Sequence, residues 1–194
     1  IGGERVKFID HSKVGEAEFA AYHYAKAMNA FYRGKSETAL SEFRDALKWI
    51  NRSLAINRRT EGDLHREVLF DMSLAEFTVG RHQRAIAVLK RARDIQSEHD
   101  LLWDCAILGR LVHFYAFFGN IAKAERLFED LEQAYYRARR EFDPDGVLHT
   151  RAEQSLYPAR GKLLEAEGRY AEAEPYLREA LTLLQGHGYW ADQR

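Results

Sequence analysis

The sequence predicts an all-α protein made of about four antiparallel helix pairs that stack into a solenoid. One pattern recurs four times: a Gly, an Ala five residues later, a large apolar residue four further on, and a small or apolar residue three further on. Such a recurrence is typical of stacked helical hairpins, because one hairpin cannot bury its apolar face alone and a row can. The copies are Gly34/Ala39/Phe43/Ala46, Gly80/Ala85/Leu89/Ala92, Gly119/Ala124/Phe128/Leu131 and Gly168/Ala173/Leu177/Ala180.

The composition agrees with this fold class. Of the 194 residues, 46% are hydrophobic and only 3 are Pro, so a continuous core and long uninterrupted helices can form. The most apolar run, residues 101–118, is interrupted by Asp104, Arg110 and His113, which predicts a helix buried between neighbours and not a membrane span.

Polar, turn-prone segments separate the hairpins along the chain. The predicted helix pairs are 12–33 with 36–57, 64–79 with 81–96, 99–118 with 120–142, and 147–167 with 169–185. We interpret residues 11–190 as a single array with hairpins at about 12–57, 64–96, 99–142 and 147–185. Residues 1–10 are then an N-terminal lead-in, and residues 189–194 are the start of a truncated fifth hairpin, which indicates a piece of a longer protein.

Each position of the pattern has a physical reason. Gly closes a helix at the least cost, because it adopts positive φ without a Cβ clash. Ser36 and Asn120 follow their Gly closely and are predicted to cap the next helix with their side chains. The Ala keeps the crossing of the two helices close, and the large residue four positions later fills the groove on the same face. Pro158 is expected to kink or delay its helix.

These residues resemble the tetratricopeptide repeat family, whose second helix carries the same Gly, Ala, Phe and Ala signature. The clearest copy, Gly168-Arg-Tyr-Ala-Glu-Ala-Glu-Pro-Tyr-Leu-Arg-Glu-Ala-Leu181, is similar to the long-repeat variant with a proline in the helix that is found in kinesin light chains. The four Ala are spaced by 46, 39 and 49 residues, longer than the usual period of about 34 residues, as in the helical sensor arrays of large bacterial regulators. The resemblance implies a right-handed superhelical solenoid.

The charge balance and the reactive residues exclude several function classes. The chain has 29 basic and 30 acidic residues and a net charge of −1, which predicts neither a nucleic-acid partner nor a membrane partner. No set of His and Cys has the spacing of a metal site, and no phosphate loop or nucleophile with a base is recognised, so we expect no metal, no cofactor and no enzyme activity. The one Cys, Cys105, is predicted to be a core residue. A single Cys cannot form an internal disulfide, which suits a cytoplasmic location.

The resemblance places a binding groove on the first helix of each hairpin, at 10, 6, 3 and 2 residues before the Gly. Many of these positions are apolar or aromatic, which favours recognition of a protein or peptide partner. The alternative is that these side chains pack against one another as core. Arg110 and Lys162 are predicted anchors for an acidic group of the partner. The candidate groove residues are Tyr24, Met28, Phe31, Tyr32, Phe70, Leu74, Phe77, Arg110, His113, Phe117 and Lys162.

Two functions remain open at this stage. The first is a protein-protein interaction scaffold that binds a peptide or a partner helix in a largely apolar concave groove. The alternative is a regulatory or sensor segment of a larger multidomain bacterial protein, such as a signal-transduction ATPase, a transcription regulator or a caspase-like peptidase. In addition, the stripe Leu177, Leu181 and Leu184 predicts self-association through the C-terminal end, or coverage of the stripe by residues 189–194.

Overall fold

The computed structural model describes residues 15–54, 62–95, 100–142 and 149–186, and every regular element within these ranges is an α-helix. The chain divides into two compact units, residues 1–97 and 98–194. The residues interpreted as a lead-in and as the start of a fifth hairpin lie outside the described ranges.

Each unit contains two helical hairpins. In the first unit, α1 (Glu16–Tyr32) packs against α2 (Ser36–Leu54), α3 (Gly62–Thr78) packs against α4 (His82–Arg93), and α2 lies against α3. In the second unit, α5 (Asp100–Phe117) packs against α6 (Ile121–Phe142), α7 (His149–Ala166) packs against α8 (Tyr170–Gly186), and α7 contacts both α5 and α6. The predicted class, four antiparallel helix pairs, is confirmed for the described residues.

The same glycine turn joins the two helices of every hairpin. Gly34, Gly80, Gly119 and Gly168 have φ angles between 70° and 79°, a left-handed conformation that strains any residue with a Cβ. In each turn the Gly N–H donates to the carbonyl three residues back, and the next N–H donates to the carbonyl five residues back. This is the Schellman motif, which satisfies the free carbonyl groups at the end of the first helix.

The residue after the Gly also starts the next helix. Asn120 N–H donates to the Tyr115 carbonyl at 2.9 Å, and the Asn120 carbonyl accepts from Ala124 N–H at 3.0 Å. Lys35, Arg81 and Arg169 hold the same position in the other turns. The prediction that Ser36 caps α2 is wrong, because Lys35 occupies the cap position and Ser36 is the first helical residue. The Ser36 hydroxyl oxygen instead accepts a hydrogen bond from Thr78, at 3.2 Å.

Prolines do not end the helices that contain them. The α7 helix continues through Pro158 and the α8 helix continues through Pro175, although each proline removes one backbone donor. The predicted delay of the fourth first helix until after Pro158 is therefore not seen, since nine residues of α7 precede the proline, from residue 149 to residue 157.

Small residues form the contact between the paired helices. Ala39, Ala85, Ala124 and Ala173, the second members of the four copies, are almost completely buried. On the facing first helix, seven residues before each turn glycine, the chain has Ala27, Ser73, Val112 and Gly161, all of which are buried. At Gly161 the approach is so close that an added Cβ would lie 2.5 Å from Leu177 Cδ2. The hairpins therefore depend on a lack of side-chain volume at the crossing.

Enlarging one of these alanines should overpack the crossing. We expect Ala85→Leu to lower the free energy of unfolding by about 1 to 3 kcal/mol, because Ala85 is completely buried against α3. Ala87→Leu, two residues further along the same helix and exposed, should change it by less than about 0.5 kcal/mol. Urea denaturation followed by circular dichroism measures both, and equal stability of the two variants would contradict the assigned crossing.

Candidate functional site

The first helices of the first unit carry seven of the candidate groove residues. Tyr24, Met28, Phe31 and Tyr32 lie on α1, and Phe70, Leu74 and Phe77 lie on α3. The two helices are in contact. The structure therefore brings these residues onto neighbouring helices.

A hydrogen bond connects these two helices. The Tyr24 hydroxyl donates to Asp71 Oδ2 at 2.8 Å. Burial and the adjacent Asp71 carboxylate raise the pKa of the Tyr24 hydroxyl well above its usual range. Tyr24 thus keeps its proton at neutral pH and joins α1 to α3, which is a structural role at a predicted groove position.

The candidate residues differ in exposure. Met28, Phe31, Phe70, Leu74 and Phe77 are only partly buried, as is Tyr24. Tyr32 is 61% exposed, and its ring makes an edge contact with Phe31 at a centroid distance of 6.1 Å. The rings therefore pack partly on one another and still offer apolar surface to solvent, so the first unit has features of both the groove and the core interpretation.

The second unit carries Arg110, His113 and Phe117 on α5 and Lys162 on α7, two helices that are also in contact. Phe117 is 62% exposed and packs edge to face with Phe118 at 5.5 Å between ring centroids. Lys162 Nζ is 2.7 Å from Glu165 Oε2 on the same helix. Lys162, a predicted anchor for an acidic group, is thus already paired with a carboxylate of its own helix.

Burial shifts the pKa values of His113 and Cys105 in the direction that favours the neutral form of each. Burial, together with the positive charges of Lys162 and Arg110, lowers the pKa of the His113 imidazole. Burial and the nearby Asp104 raise the pKa of the Cys105 thiol to about 11. A thiol with that pKa is protonated at neutral pH and is a poor nucleophile. Cys105 lies in the core of the second unit, as the sequence predicts.

A polar network between α1 and α2 was not predicted from the sequence. Glu42 on α2 accepts a hydrogen bond from His23 at 2.7 Å and forms an ion pair with Lys26, while Asp45 pairs with Lys48 at 2.7 Å. Burial opposes ionisation of Glu42, but hydrogen bonds from Lys26 and His23 lower the pKa of its carboxyl group. His23, Glu42 and Asp45 have ligand atoms within 4.8 Å of one another. Because lysines already neutralise both carboxylates, this cluster is best described as a link between helices.

A second unpredicted feature is a buried carboxylate between the two hairpins of the first unit. Glu76 on α3 is 2% exposed, and its carboxylate lies 3.7 Å from guanidinium nitrogens of Arg44 on α2 and of Arg81 in the next turn. Arg81 also pairs with Glu37 on α2 at 2.7 Å. The Glu42 and Glu76 networks both join helices through residues that are distant in sequence, so no local pattern could have indicated them.

Comparison with known proteins supports the fold. Residues 155–183 match the sequence profile of the tetratricopeptide repeat. One similar crystal structure is that of the nearly identical TPR-like repeats of a Podosopora anserina putative kinesin light chain. It has 18% identity and a TM-score of 0.52, and the match covers 88% of this chain and 77% of that one. A crystal structure of a variant of the same protein gives 18% identity, a TM-score of 0.54, and coverage of 87% and 76%. A comparison with curated protein sequences finds no match.

The geometry and the comparisons together define the class as a repeat protein of antiparallel helical hairpins. More specifically, the fold is that of tetratricopeptide-like repeat arrays, and α7 and α8 contain the segment that matches the repeat. Repeats of this kind generally serve as protein-protein interaction modules. Among the described residues, no helix is long and apolar enough to cross a membrane.

The acidity of His113 leads to a testable pH dependence. Its folded-state pKa lies below the unfolded value of about 6.5, so the unfolded chain binds more protons once the pH falls below about 6.5. The free energy of unfolding should therefore decrease as the pH falls from about 6.5 to about 5. The free energy of unfolding of the His113→Gln variant should decrease less over the same interval. Chemical denaturation at each pH measures the difference, and an imidazole that titrates by NMR at or above the unfolded value would contradict the assignment.

Proposed function

We propose that this chain binds a peptide or a partner helix through the apolar and aromatic side chains of its first helices. The observation that carries the proposal is the exposure of Tyr32 and Phe117, which are 61% and 62% exposed. Each lies two residues before its turn glycine, so the same hairpin position presents a large ring to solvent in both units. Exposed aromatic rings are favoured at protein interfaces, where a few such residues supply most of the binding energy.

Partly buried neighbours support this role. In the first unit Phe31 makes a ring contact with Tyr32, and Phe70 and Phe77 lie on α3, the first helix of the next hairpin, which contacts α1. A rigid surface of this kind binds at low entropic cost, because its side chains are already ordered by packing. We propose that the partner contributes an apolar helix face, with anchors spaced three and four residues apart.

The proposed role is that of a scaffold and requires no catalytic group or cofactor. The nearly equal numbers of acidic and basic residues favour a protein partner over nucleic acid or an anionic membrane. One Cys suits a reducing compartment, so we propose that the binding takes place in the cytoplasm.

The test separates the exposed ring from the fold. Peptides selected from a helical library against the full chain should lose at least about tenfold in affinity for Tyr32→Ala, since loss of an aromatic hot spot costs about 2 kcal/mol or more. Tyr136→Ala is the matched control, because Tyr136 is 55% exposed and lies on a second helix, α6. Isothermal titration calorimetry measures the affinities, and circular dichroism verifies that both variants stay helical.

The double variant Phe31→Ala with Phe70→Ala extends this test to the partly buried rings. Loss of binding with an unchanged helical signal would place them in the interface. Two outcomes would refute binding through the first helices: Tyr32→Ala and Tyr136→Ala lose affinity equally, or neither variant loses affinity.

We also propose that the chain associates with a second copy through α8. Leu181 is 53% exposed and Leu184 is 36% exposed on this helix. In the first unit the residue equivalent to Leu184 by distance from the turn glycine is Ile50, which is completely buried on α2, the helix that lies against α3. A face that is covered in one hairpin is thus uncovered in the other, and pairing of two copies would remove it from water.

Introduction of a charge should prevent this association. We expect Leu181→Glu to make the chain monomeric in sedimentation velocity at concentrations where the unmodified chain dimerises, because a buried unpaired carboxylate is costly. Thr182→Glu, exposed one residue further along, should leave the dimer intact. A monomeric unmodified chain, or a dimer that Leu181→Glu does not weaken, would refute the proposed association.

A further inference from the structure

A pocket of 570 Å³ lies between α6 and α7 within the second unit. Three glutamates of α6, Glu125, Glu129 and Glu132, line it together with Arg126 of α6 and Arg160 of α7. Phe128 and Leu163, both buried, contribute apolar wall. The volume is in the range of small-molecule sites, which is about 300 to 1,000 Å³.

Three charged residues of this pocket stand at positions that are apolar in the first unit. Counted from the turn glycines, Glu125 and Glu132 are equivalent to Leu40 and Leu47 of α2, and Arg160 is equivalent to Met72 of α3. In the first unit, where α2 lies against α3, Leu40 is completely buried and Met72 is 7% exposed. The corresponding interface between α6 and α7 therefore has charges at three positions where the other unit has apolar residues.

The charges around the pocket are available to a ligand. The Arg160 guanidinium lies over the Phe128 ring, 5.2 Å from its centroid. Among the described residues, neither Arg160 nor the three glutamates has an ion-pair partner. Glu172 feels the charge of Arg160, but its carboxylate is hydrogen-bonded to Arg169 instead. The cavity is thus lined by the half-buried guanidinium of Arg160, the exposed guanidinium of Arg126 and three carboxylates, and these described residues form no ion pair with one another.

We propose that this pocket binds a small ligand that carries both a carboxylate and an ammonium group, such as an amino acid or a short peptide with free termini. The ligand carboxylate pairs with Arg160, whose planar guanidinium can donate two parallel hydrogen bonds. The ligand ammonium group lies among Glu125, Glu129 and Glu132. The aliphatic part of the ligand packs on the apolar wall. None of the residues that line this pocket is among those proposed to bind the partner, so the inference does not depend on the proposed partner binding.

Three related tripeptides test the requirement for both charges. Triglycine should bind the full chain saturably in an NMR titration that follows backbone amide shifts of α6 and α7. N-acetyl-triglycine lacks the ammonium group and triglycine amide lacks the carboxylate, and each should bind at least about tenfold more weakly, because each loses a charge-assisted hydrogen bond. No saturable binding of triglycine, or equal affinity for all three, would refute the proposal.

Variants that restore the residues of the first unit test the site itself. Arg160→Met, and Glu125→Leu with Glu132→Leu, should each weaken triglycine binding at least about tenfold while the helical signal is kept. Asp130→Asn, an exposed change on α6 outside the pocket lining, is the control and should leave the affinity unchanged. If an apolar variant fails to fold, Arg160→Gln and Glu132→Gln keep polar side chains and should show the same loss. Unchanged affinity in the folded variants would overturn the assignment.

Discussion

The glycine turn is the constraint on which the structure depends. Its single positive φ angle closes one helix, and the following residue begins the next helix with its own carbonyl. Only three residues separate the two helices of each hairpin, so the rotation of the second helix relative to the first is fixed by the backbone. The Ala five residues after each glycine therefore always lies on the side of its helix that faces the hairpin partner. The residue seven positions before the same glycine lies on the facing helix.

This geometry explains why so few side chains are needed to define a hairpin. The crossing favours small residues and tolerates variety, as Ala27, Ser73, Val112 and Gly161 occupy equivalent positions. In the last hairpin the partner of the small residue is Leu177, which fills the space that a Cβ on Gly161 would take. A larger side chain on one helix is thus matched by a smaller one on the facing helix, while the turn stays the same. The rest of each helix surface is free to vary.

Features that depend on local geometry could be predicted from the sequence, and features that depend on distant neighbours could not. Positive φ and small size are local, so the glycines and alanines identified the hairpins and their buried faces. The cap at Ser36 was wrong because backbone groups of Lys35, and not a polar side chain, complete the turn. The partial burial of the aromatic groove residues depends on the adjacent hairpin, as the Tyr24 hydrogen bond to Asp71 illustrates, and their spacing alone carried no such information.

The contacts between hairpins show how identical turns can support different surfaces. In the first unit the buried carboxylate of Glu76 lies between Arg44 and Arg81, at distances too long for good hydrogen bonds. Such a buried ion pair adds little net stability, but loss of either arginine would leave the negative charge of Glu76 less neutralised. In the second unit the position equivalent to Glu76 is Leu164, and the charges lie instead around Arg160. Because the turn and the small residues already fix the helices, charged residues at these interfaces are not needed to define the fold. They can therefore differ between hairpins, and differences of this kind give each interface its own chemistry.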